Sequence, residues 1–156
     1  MTRGYLALPV LLLMGACATV PMATSQEDQL GKRFEPPPPD KAAIYLYREG
    51  IMGALVPVDV AVQAQGGGLD VSLAPDTWVR IQGEPGPIEV RCAKDQSVGQ
   101  RFDMRPGETR YVEVSYKMTL WGSACAVQEV SELTGQRGVA GGKRAIAGGT
   151  GATASR

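Results

Sequence analysis

Three cysteines, no histidine and scattered carboxylates bound the chemistry open to this chain. Cys17 ends the run Leu11-Leu12-Leu13-Met14-Gly15-Ala16-Cys17, an apolar stretch closed by two small residues. A thiol placed there is a target for lipid attachment after cleavage. Cys92 and Cys125 remain as an even pair. They could serve as a redox or metal-binding pair, or as one disulfide between two strands. No CxxC is present, and two thiols without histidine make a poor zinc site, so a structural disulfide is favoured. Without histidine the commonest general base is missing, and neither a Ser-His-Asp nor a Cys-His arrangement can form.

Carboxylates are the remaining acid–base groups. Asp59, Asp70, Asp76 and Glu84 lie in or beside expected turns. A glycosidase pair would need two of them held about 5–9 Å apart. Nothing in the spacing brings any two together, so solvated strand faces are their expected place. Gly66-Gly67-Gly68 is not a phosphate loop, because no Lys-Ser/Thr follows it. No catalytic residue, metal ligand or cofactor is expected, and the chain is read as a non-enzyme.

Arg3 and the apolar residues from Tyr5 to Met14 complete a lipoprotein-type signal peptide over residues 1–16. The run is too short to span a bilayer as a helix. The expectation is export, cleavage before Cys17 and membrane attachment through acyl chains on Cys17, which anchor stably when more than one chain is present. Ala18 stands where an Asp would favour inner-membrane retention, so the expected location is the outer membrane, facing the periplasm. An oxidising envelope compartment suits a Cys92–Cys125 disulfide.

Residues 17–40 read as the lipidated cysteine and a tether ending in Pro36-Pro37-Pro38-Pro39, a polyproline II spacer of about 3 Å per residue. Residues 41–133 read as the folded domain. Ala42, Ile44 and Leu46 alternate with Tyr45 and Tyr47; Val56, Val58, Val60 and Val62 recur at period two. Further alternating runs follow over Leu69–Leu73, Thr77–Ile81, Ile88–Cys92, Gln100–Met104, Thr109–Lys117 and Ala124–Val130, separated by Gly/Pro turns. No segment carries a helical period over several turns. The pattern predicts an all-β fold: a single antiparallel β-sandwich, immunoglobulin-like or prealbumin-like, of about seven to eight strands, with a small closed barrel as the alternative. Residues 134–156, rich in Gly, Ala and Thr, are expected to be a disordered tail for want of apolar surface. Its scattered bases could instead form a weak basic arm.

Between Lys41 and Leu133 the chain has twelve acids against nine bases. A mildly acidic body argues against a nucleic-acid partner. Trp78, Trp121, Tyr45 and Tyr47 are the candidate contact aromatics for a binding role. Their alternative role is core packing, and buried rings would favour a scaffold.

Asp40-Lys41-Ala42-Ala43-Ile44-Tyr45-Leu46-Tyr47-Arg48 resembles the opening strand of a group of small bacterial lipoproteins sharing a domain of unknown function. Glu84-Pro85-Gly86-Pro87-Ile88-Glu89-Val90 is similar to that group's Pro-Gly turn and following strand, although Pro87 stands where a polar residue is usual. Arg105-Pro106-Gly107-Glu108-Thr109-Arg110-Tyr111-Val112 resembles its later turn and aromatic strand. The resemblance spans about Asp40 to Leu133 and implies a sandwich shaped like carboxypeptidase regulatory domains. It implies no catalytic residues. The expected function is a lipid-anchored envelope protein with a non-catalytic binding or accessory role toward an envelope protein or glycan. A saccharide- or peptidoglycan-binding module and a carboxylate-based hydrolase are the alternatives.

Overall fold

The strand β1 (Ala42–Arg48) is buried at all seven positions. Alternation puts Ala42, Ile44, Leu46 and Arg48 on one face and Ala43, Tyr45 and Tyr47 on the other. Burial of both sets means that β1 is central and that its sheet is covered on both sides. The computed structural model describes residues 20–50, 56–119 and 122–148, and within them the cover on each side is visible.

Next along the chain come β2 (Val58–Ala64), β3 (Gly67–Leu73), β4 (Thr77–Gly83), β5 (Gly86–Cys92), β6 (Gly99–Met104), β7 (Thr109–Thr119) and β8 (Gly122–Val130). A two-residue strand, β9 (Lys143–Arg144), comes last. One sheet has the order β8-β7-β1-β4-β9 and the other β3-β2-β5-β6. The fold is therefore an all-β, two-sheet sandwich, as the alternation and turn spacing predict. It departs from a purely antiparallel one, because β1 pairs with β7 in parallel and β4 with β9 in parallel. The second sheet is traversed between β1 and β7, and such a crossover returns the chain in its original direction.

Local chemistry explains the breaks. Pro57 immediately precedes β2, where its missing N–H leaves no gap in the ladder. Arg105-Pro106-Gly107-Glu108 forms a turn in which Glu108 N–H donates to Arg105 O (3.1 Å) and Gly107 takes φ 75°, the left-handed value a type II turn needs at its third residue.

Between the sheets lies an aliphatic core that includes Ile44, Leu46, Val60, Val62, Val71, Leu73, Val79, Val90, Val112 and Val114. Cys92 and Cys125 are disulfide-bonded with a Cα separation of 6.1 Å. The bond joins β5 to β8, hence one sheet to the other.

Two expectations are corrected at the ends of the domain. Residues 17–40 do not all form a free spacer. The helix α1 (Ser25–Gly31) opens with a capping box in which Glu27 N–H donates to Thr24 Oγ1 (3.3 Å) and Thr24 N–H donates to Glu27 Oε2 (2.8 Å). Pro37 is buried rather than extended into solvent. The described part of the expected disordered tail, residues 134–148, is ordered as well. The helix α2 (Glu132–Gly141) starts at Ser131, whose Oγ accepts Thr134 N–H, and β9 and Ala145 follow. Composition misled because a glycine-rich helix brings little apolar surface of its own; here the sheet beneath it supplies that surface. Residues 149–156 of that tail, the signal segment 1–16 and Cys17 lie outside the described residues.

Candidate functional site

The outer face of the β8-β7-β1-β4-β9 sheet is aromatic. Tyr45 stacks on Tyr111 with centroids 5.1 Å apart and planes at 12°, and lies 5.8 Å from both Trp78 and Phe34. The guanidiniums of Arg144 and Arg80 sit over the rings of Trp78 (5.5 Å) and Tyr45 (5.8 Å). Both helices lie on this layer and use glycines to do so. A Cβ on Gly31 would fall 2.2 Å from Trp78 Cη2, one on Gly135 would fall 2.2 Å from Tyr111 Cβ, and one on Gly138 would fall 2.2 Å from Tyr47 Cε2. Tyr45 Oη donates to Gly31 O (2.9 Å).

Three of the four candidate contact aromatics are therefore removed from that role. Tyr45, Tyr47 and Trp78 are at most 1 % exposed. They cement α1 and α2 to the sheet; they do not face a partner. Trp121 lies outside the described residues. Burial raises the pKa of the Tyr47 phenol to about 12, with Glu113 and Glu49 adding to the effect. Among the described residues, Tyr47 Oη and Trp78 Nε1 have no hydrogen-bond partner.

Two of the four carboxylates are brought together: Asp59, opposite Ser72, and Asp70, opposite Ala61, are diagonal neighbours on the outward face of the β2–β3 ladder, where Asp59 accepts a hydrogen bond from Ser72 Oγ. Asp76 holds a left-handed φ of 50° in the β3–β4 connection, and its Oδ1 accepts Gly50 N–H (2.9 Å). Glu84 pairs with Lys41 at the other end of the sandwich. Among the described residues no group of three or more His, Cys, Asp or Glu could hold a metal ion.

The two ends of the sandwich differ. On the inner face of β1 the series Ala42, Ile44, Leu46 finishes in Arg48, a cation only 2 % exposed. Its Nη1 donates to Val56 O (2.8 Å) and Leu73 O (3.1 Å), and its guanidinium lies 5.4 Å from the Tyr116 ring. Burial lowers its pKa.

The opposite end holds an apolar cleft of about 360 Å³. Its walls are Ala42 and Ile44 of β1, Val62 and Ala64 of β2, Leu69 of β3, Ile81 of β4, Ile88 of β5 and Met104 of β6. Gln65, Gln82 and Glu84 supply polar groups at its rim. The space exists because registers align small residues here: Ala42 faces Gly83, Ala64 faces Gly67, and Gly86 faces Met104. A Cβ on Gly66, Gly67 or Gly83 would meet nothing within 4 Å. An aliphatic wall with a few polar groups at the mouth is the common form of a small-ligand site, and its size falls in the usual range of about 300–1,000 Å³. The cleft had a signal in the sequence: Gly66-Gly67-Gly68 and Gly83 are glycines at strand ends. Only pairing shows that they meet.

No family model matches the chain. An uncharacterized protein of Haemophilus influenzae is 24% identical over 131 residues, 83% of this chain and 76% of that protein.

Proposed function

We propose that the protein is a lipid-anchored envelope protein with a non-catalytic binding or accessory role, exerted through the apolar cleft at the open end of the sandwich. The observation that carries the binding role is that apolar cleft, at the end of β1 opposite the buried Arg48. Processing before Cys17, acylation there and an outer-membrane position facing the periplasm are supported by Gly15-Ala16-Cys17 at the end of an apolar run. An inter-sheet disulfide fits an oxidising compartment. Kinship with the small lipoproteins of unknown function rests on the strand and Pro-Gly turn patterns. The mildly acidic domain favours a partner other than nucleic acid.

The saccharide- or peptidoglycan-binding alternative leaned on exposed aromatics. With Tyr45, Tyr47 and Trp78 buried, it has lost three of its four contact residues. The hydrolase alternative would rest on Asp59 and Asp70, diagonal neighbours on the outward face of the β2–β3 ladder, whereas the apolar cleft opens between the sheets and Asp76 and Glu84 stand elsewhere.

Complementation of a deletion strain tests the reading, with protein abundance checked for each variant. Gly83→Phe, which fills the cleft, is expected to abolish function, and Cys17→Ser to abolish both acylation and function. Asp59→Asn and Asp70→Asn are expected to be silent, since an amide keeps shape while removing ionisation. If an amide variant abolishes function at normal abundance and Gly83→Phe is silent, a catalytic carboxylate replaces the binding role.

A further inference from the structure

We infer that the cleft is the binding site for an acyl chain of the protein's own lipid, the one carried by Cys17; this rests on the proposed acylation of that residue. The direction of the terminal segments leads to this conclusion. In the parallel β4–β9 pair, Thr77 stands beside Lys143 and Trp78 beside Arg144. After Arg144 the chain therefore heads as β4 does, toward Gly83 and the open end, and Ala145 N–H donates to Trp78 O (2.8 Å) on the way. Residues 20–23 run antiparallel to this segment. Ala23 N–H donates to Arg144 O (2.9 Å), Met22 bridges Ala145, and Ile146 N–H donates to Pro21 O (2.8 Å). Followed backward from Ala23 to Val20, the chain also heads for the open end.

It arrives close to the cleft wall. Val20, Ala147 and Leu69 all pack against the inter-sheet core. A Cβ on Gly148 would lie 3.4 Å from Leu69 Cδ1, and Leu69 lines the cleft. Cys17 is three residues from Val20, a reach of at most roughly 11 Å at about 3.3–3.6 Å per residue. The acyl attachment point is thus tethered within reach of the mouth, where a short link gives a high effective concentration. The lining suits the occupant: aliphatic walls for a hydrocarbon, and Gln65, Gln82 and Glu84 at the rim for the polar linkage.

Photocrosslinking of the full-length chain in cells tests this. Gln65→p-benzoylphenylalanine places the reactive group at the rim, and Ser97→p-benzoylphenylalanine in the β5–β6 connection is the control. After irradiation and proteolysis, mass spectrometry is expected to find the residue-65 peptide joined to the acylated Cys17 peptide. The product is expected to be absent from the residue-97 control and lost when Gly83→Phe is added, at unchanged melting temperature. If Cys17 is acylated and residue 65 crosslinks only to phospholipid, or to no lipid, the inference is overturned while the anchor stands. If the mature protein carries no acyl mass at Cys17, the anchor itself fails and takes the inference with it.

Discussion

The two ends of the sandwich begin from the same strand and finish differently. At one, β1 delivers Arg48 into the space between the sheets, where backbone carbonyls of Val56 and Leu73 accept hydrogen bonds from it. Cys92, at the last position of β5, adds a covalent link from that half of the second sheet to β8. At the other, strand ends supply Ala42, Ala64, Gly67 and Gly83, and the walls stand apart around the cleft. An inner face needs filling along its whole length. Where side chains are long the space closes; where they are one carbon or none it stays open to a ligand. Stability and binding capacity are thus separated along β1.

That contrast can be broken at the Arg48 end first. Cys92→Ala with Cys125→Ala, opening a bridge of sequence separation 33, is expected to cost about 3–4 kcal/mol by the chain-entropy estimate. Urea midpoints under non-reducing conditions measure it; a shift no larger than that of a surface variant would show that the Arg48 end does not depend on the clamp. Arg48→Met is expected to cost about 2–3 kcal/mol, because buried carbonyls lose a charged donor. The same urea curves report it, and an unchanged midpoint would mean that water satisfies those carbonyls equally well. Gly138→Ala touches neither end but drives a Cβ into Tyr47, so overpacking of about 1–3 kcal/mol is expected. Faster amide exchange confined to α2 would show that the cost falls on helix docking. Smallest of all, Gly83→Phe at the open end is expected to change stability within about 0.5 kcal/mol, as at other exposed sites. A large loss there would show that the mouth is structural and not a site.

Much of the sandwich is legible from alternation. The period-two runs at Val58–Val62 and Tyr45–Tyr47 declare their faces without help, since side chains on a strand must alternate. The Cys92–Cys125 bond is legible too, from an even count once Cys17 is set aside. Helix α2 is not, because Gly135 and Gly138 read as disorder in isolation; their missing side chains become an asset only where Tyr111 and Tyr47 lie beneath them. The tether is misread for a related reason: Gly31 looks like a flexible position until Trp78 is seen against it.

By itself, then, the chain determined which residues alternate, where turns interrupt them, which cysteines pair, and that Cys17 follows an apolar run. These are properties of neighbours in sequence, governed by backbone geometry and local chemistry. Only the tertiary structure decided that Tyr45, Tyr47 and Trp78 are covered, that Arg48 is buried at one end of β1, and that glycines of the β2–β3 and β4–β5 connections meet at the other. Burial and empty space belong to pairs of segments far apart in the chain, and their register exists only once the sheets have formed.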